Sequence, residues 1–212
     1  MSKIAAGTAL SAASLAMLAL GWLVRADPTT EVEPIRARWI TLPAAAIGTE
    51  RLDVDAPLDG DAPFWTIERG GASMATVSHG ETDGQGVLVF WYELGSGRPL
   101  DQFAALVASV PHGLSRYDRI TFRARASHPL RLAVTLRPVG NNNPRRWQRS
   151  VYLDQMTRTV TVFFDDMHVV PGDVAAPAPL ASIGSLMFII DTNNTKPGTS
   201  GEIMLSEIAY AY

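Results

Sequence analysis

RITFRARASHPLRLAVTLR, residues 119–137, decides the fold. Ile120, Phe122, Ala124 and Ala126 alternate with Arg119, Thr121, Arg123 and Arg125. After a Ser-His-Pro break, Leu130, Leu132, Val134 and Leu136 repeat the pattern. Side chains on a strand point alternately to opposite faces, so a period of two gives each strand one wet and one dry face. Two such strands in succession fit an antiparallel sheet packed on one side. Working outward, alternation, β-branched and aromatic content and bounding turns mark further strands at 51–54, 64–68, 73–78, 86–94, 104–110, 117–126, 130–136, 147–153, 159–164, 182–190 and 202–210. The stretch nearest to a helical pattern is DQFAALVAS, 101–109, which reads as a strand with room for one short helical turn. Many short strands without a long 3.6-residue period predict an all-β sandwich of two sheets, a jelly roll.

The chain opens differently. Residues 4–24, IAAGTALSAASLAMLALGWLV, carry no charge. At ~1.5 Å per residue they would span roughly 30 Å, the thickness of a bilayer's hydrocarbon core. Two accounts stand: a retained transmembrane anchor, or a signal peptide cleaved after Ala26 in Val24-Arg25-Ala26. The expected organisation is therefore residues 1–26 as anchor or signal, 27–49 as a linker containing Pro28, Pro34 and Pro43, and 50–212 as the β domain. Trp22 and Trp39 suit the headgroup level, with Arg36 and Arg38 near lipid phosphates. The same stretch reads equally as an extended tether or a first edge strand. A leader that begins with Lys3 puts the domain on the extracytoplasmic, periplasmic side of the membrane, although the positive-inside rule counts Arg25, Arg36 and Arg38 against that orientation.

Composition excludes several classes. With 18 Lys and Arg against 21 Asp and Glu, net charge −3, no basic stripe is present to neutralise a nucleic acid backbone. Absence of cysteine excludes disulfides, thiolate metal sites and cysteine nucleophiles. Asp165 and Asp166 are adjacent, so their carboxyls diverge instead of facing one another across a glycosidic bond. His79, His112, His128 and His168 lack metal-ligand spacing. The GTSG at 198–201 lacks the setting of a nucleophile elbow, and no phosphate loop or dinucleotide fingerprint occurs. No enzymatic activity is expected.

SRYDRITFRARA (115–126), RTVTVFFDDM (158–167), IGSLMFIID (183–191) and the closing TNNTKPGTSGEIMLSEIAYAY (192–212) resemble segments of jelly-roll carbohydrate-binding modules with the galactose-binding-like fold. The complex I intermediate-associated protein family shares the pattern. The resemblance covers about residues 50–212. It implies a galactose-binding-like sandwich whose ligands meet aromatic and polar side chains, here Trp91 and Tyr92 in VLVFWYEL, and Trp147 and Tyr152 with Arg145 and Arg146 beside them. It also implies a structural calcium ion between the first and last strands, with Asp53, Asp55 and Glu207 as ligands, although Ser206 stands where an acidic residue is expected. Asp53, Asp55, Asp59 and Asp61 read equally as solvated turn carboxylates. No other cofactor is implied.

The expected function is that of a non-catalytic, membrane-anchored accessory or structural subunit of a larger membrane complex, contacting integral membrane proteins through sandwich loops. The alternative is an exported glycan-binding module. Neighbours along a strand diverge, so Trp91 and Tyr92 cannot line one groove. Trp147 shares a face with Arg149 and Val151, and Gln148 shares the other with Ser150 and Tyr152.

Overall fold

The computed structural model describes residues 50–51, 64–98, 102–140, 145–172 and 176–212. The chain divides into two units, Met1–Pro43 and Ala44–Tyr212, and every described residue belongs to the second. The expectations for the leader and linker, and for Trp22, Arg36, Arg38, Trp39, Asp53 and Asp55, lie outside the described residues. Among the described residues no helix is long and apolar enough to cross a membrane.

In chain order the strands are β1 (Glu50–Arg51), β2 (Trp65–Gly70), β3 (Met74–Thr82), β4 (Gln85–Glu93), β5 (Phe103–Ser109), β6 (Arg119–Ala126), β7 (Leu130–Pro138), β8 (Arg146–Leu153), β9 (Arg158–Phe163), β10 (His168–Val170), β11 (Ile183–Asp191) and β12 (Ser200–Ala211). They form two antiparallel sheets. The first runs β3-β4-β12-β6-β9, with β1 paired to the end of β12, and the second runs β10-β8-β7-β11-β5-β2. Most connections cross from one sheet to the other. The β3–β4 hairpin stays within a sheet: Asp83 and Gly84 both take positive φ, 54° and 73°, between paired Thr82 and Gln85. A two-residue loop with both residues left-handed follows the twist of the strands, and Asp-Gly suits it.

Alternation gives the core. Ile120, Phe122, Ala124 and Ala126 on β6 face Leu130, Leu132, Val134 and Leu136 on β7 across the space between the sheets, and all are buried. Phe122 and Phe188 meet edge to face, centroids 5.2 Å apart. Each large side chain buried here stabilises the fold by about 1.5–3 kcal/mol. Within the helix-like DQFAALVAS, Phe103–Ser109 is β5, a strand buried on both faces: Ala104, Leu106 and Ala108 belong to the main core and Ala105 and Val107 to a second cluster. Double burial removes the polar alternation by which a strand is recognised. β7 is likewise buried on both faces at Ala133 and Thr135, where one wet face was expected.

Replacing Phe122 by Ala should lower the unfolding free energy by about 3–5 kcal/mol in denaturant titrations. Val139→Ala, at a residue 74 % exposed, should change it by less than about 0.5 kcal/mol.

Candidate functional site

The outer face of the second sheet is built from the residues that β7, β11, β5 and β8 turn away from the core. Strand register sets them in rows. Thr66, Val107, Met187, Thr135, Gln148 and His168 form one row across all six strands. Glu68, Ala105, Ile189, Ala133 and Ser150 form the next. The centre consists of small or apolar residues, and Ala105, Val107, Ala133, Thr135, Met187 and Ile189 are all buried. Arg137 on β7 forks onto Glu68 on β2, with Nη1 donating to Oε2 at 2.8 Å and Nη2 to Oε1 at 2.7 Å. Nη2 also reaches Ser185 Oγ at 3.3 Å. Strands β11 and β5 lie between these partners, three interstrand spacings or roughly 14 Å in a flat sheet. The two side chains close that gap across the outer face of β11 and β5. At the other end of the face, Arg131 and Tyr152 are cross-strand neighbours and both are exposed, Tyr152 at 54 %. Phe103 and Asp191 pair nearby on β5 and β11.

The sequence candidates separate on this frame. Tyr152 and Arg146 are on the outer face of the second sheet, on the same side of β8 as half-buried Gln148. Arg145 is exposed immediately before the strand. Trp147 points the other way, 5 % exposed, and its Nε1 donates to the Ala176 carbonyl at 2.8 Å. It is a core residue, and its ring offers no platform to a ligand. Tyr92 is likewise in the core at 0 % exposure, while its neighbour Trp91 is half-buried on the outer face of the first sheet, between Thr76 and Glu202. Trp91 and Tyr152 therefore belong to different sheets and share no surface. Arg131 and Glu68 were missed by the sequence reading. Their signal was register: Arg131 is opposite Tyr152, which no local pattern shows.

Glu207 lies at a bulge in β12 and pairs with Arg123 of β6. Register slips by one residue between Ser206 and Ala209, and Glu207 takes φ 49° in that bulge. Its carboxylate accepts a hydrogen bond from Arg123 Nη1 at 3.2 Å. No group of three or more acidic, His or Cys side chains able to hold a metal occurs among the described residues. Asp165 and Asp166 occupy a 3-10 turn, Phe164–Asp166.

Tyr92 carries the clearest perturbation. Its hydroxyl hydrogen-bonds His128 Nε2 at 3.1 Å, and His128 Nδ1 meets Ser127 Oγ at 3.2 Å. Desolvation raises the phenol from 10.0 to about 12. The unfolded phenol ionises near 10 and the folded one near 12. Stability from the buried neutral form is thus complete below pH 10 and is lost as pH climbs to 12, by about 2–3 kcal/mol. The stability advantage of the native chain over Tyr92→Phe should fall by that amount across this window in guanidinium titrations; a constant difference would contradict the assignment.

Neither a protein-family model nor a curated protein matches the sequence. Solved structures do match in shape. The family 11 carbohydrate-binding module of a cellulosomal cellulase of Clostridium thermocellum superposes with TM-score 0.59 at 18 % identity, over 78 % of this chain and 95 % of that one. The same organism's family 11 module in complex with a β-1,3-1,4-mixed-linked tetrasaccharide gives 0.58 at 17 %, over 78 % and 96 %. An agarase gives 0.50 at 10 %, over 77 % of this chain and 24 % of the agarase. At these identities the fold is what is shared: the two-sheet jelly-roll sandwich of carbohydrate-binding modules. None of these three is a complex I assembly protein.

Proposed function

We propose that the sandwich is an exported, non-catalytic glycan-binding module that holds saccharide on the outer face of its second sheet. The likeness in fold to carbohydrate-binding modules supports this alternative over the membrane-complex subunit. The observation that carries it is the exposed cross-strand pair Tyr152 and Arg131. A tyrosine ring offers a flat apolar surface to the hydrogen-bearing face of a pyranose, and its two χ angles make ordering it inexpensive. Arg131 and Gln148 supply donors for ring hydroxyls. Because these groups stand on strands and not on loops, the face is preformed. The module binds and does not cleave.

Affinity electrophoresis in gels containing mixed-linked β-glucan, and in agarose, tests the reading. The native chain should be retarded by at least one of these polysaccharides. Tyr152→Ala should weaken retardation about tenfold, as expected for loss of one stacking anchor, while Trp91→Ala leaves it unchanged. Unretarded migration of the native chain in both gels, or equal retardation of Tyr152→Ala, would overturn it.

Export is supported by the uncharged stretch 4–24 behind Lys3. In a bacterial host the full chain should be digested by protease added to spheroplasts, and removal of residues 1–26 should protect it. Protection of the full chain would contradict export.

A further inference from the structure

Between the ends of the two sheets, where β5 leaves the second sheet and β12 finishes in the first, there is a pocket of about 520 Å³. Small-ligand sites span roughly 300–1,000 Å³. Three aromatic rings line it: Phe64 just before β2, Tyr117 just before β6, and Tyr210 on β12. Tyr117 is 5.5 Å from Tyr210 and 5.5 Å from Tyr212 between centroids, the rings inclined at 31° and 26°. The three rings lead from buried Tyr210 to exposed Tyr212.

Exposed Arg116 and His112 line the same pocket, and no Asp or Glu occurs among its described lining residues. The walls are pinned by backbone. Ser109 N–H donates to the Phe64 carbonyl at 3.1 Å, Val110 to Gly184 at 2.9 Å, and Leu114 to Leu180 at 2.6 Å. Gly113, at φ +66°, sits where a Cβ would stand 2.6 Å from the Ala181 carbonyl oxygen, so the loop presses onto the Leu180–Ser182 turn with no space for a side chain. A site held this way loses little freedom when it fills.

Flat rings accept the hydrogen-bearing face of a sugar, and the guanidinium of exposed Arg116 matches a carboxylate, onto which it can fork. A neutral sugar leaves that guanidinium without its best partner. We infer that this pocket takes a single hexuronate residue, an acidic sugar ring, at a site separate from the surface around Tyr152. The ligand class rests on the glycan-binding reading.

Galacturonate and glucuronate, each beside its neutral methyl hexoside, should be titrated calorimetrically into the full chain, with the ring signals of Tyr117 and Tyr212 followed by NMR. At least one uronate should bind and shift those signals, and its neutral counterpart should bind about tenfold more weakly. Arg116→Gln, at an exposed position, should remove that preference, and an unchanged thermal transition should show that the fold is intact. Tyr152→Ala should leave uronate affinity unchanged. Equal affinity for neutral sugars, no effect of Arg116→Gln, or loss of uronate binding in Tyr152→Ala would each overturn the assignment. A chain retained by polysaccharide that ignores both uronates refutes the pocket and leaves the glycan-binding reading standing. A chain that binds uronate through Arg116 yet is retained by no polysaccharide supports the pocket and refutes the reading of the Tyr152 face.

Discussion

Phe122 of one sheet meets Phe188 of the other edge to face, and everything else in the sandwich is arranged around keeping those two inner faces together. A strand has only two sides. Once Phe122 is committed inward, Thr121, Arg123 and Arg125 are committed outward, and a slip of one residue would turn Arg123 and Arg125 into the core instead. β12 extends this constraint across the first sheet, since it pairs with β4 on one side and β6 on the other. Its single bulge at Glu207 keeps Ile203, Leu205, Ile208 and Tyr210 in the core on both sides of the slip.

The same constraint decides which aromatic residues can meet a ligand. Trp147 pairs across strands with Leu136, which faces the core, so Trp147 faces the core as well. Tyr152, five residues along the strand, has the opposite parity and stands in solvent. The surface around Tyr152 is therefore a consequence of the packing that buries Trp147. The Arg137–Glu68 bridge closes the other end of that face and leaves the Arg131 end as its polar, exposed portion.

Much of this was legible in the sequence. RITFRARA and LRLAVTLR give the facing strands and their inner residues correctly, and parity alone separates Trp91 from Tyr92 and Gln148 from Trp147. What could not be read was depth. FAALVAS carries apolar residues on both faces because both faces of β5 are buried, and that hides its period of two. Trp147 looked like a sugar platform because a sequence does not show which side of a strand is inside. Three-residue β10 is too short to leave a pattern. Partners distant in the chain, such as Arg137 with Glu68 or Tyr117 with Tyr212, follow from topology.

Strand parity thus places Tyr152 and Arg131 together on the outer face of the second sheet, the face proposed to hold a glycan. Residue-resolved NMR of the chain titrated with a β-1,3-1,4-linked tetrasaccharide tests that claim most directly. The account predicts that amide shifts concentrate at Arg131, Gln148 and Tyr152 and leave Trp91, Val89 and Met204 unmoved. Shifts confined to the outer face of the first sheet would contradict it.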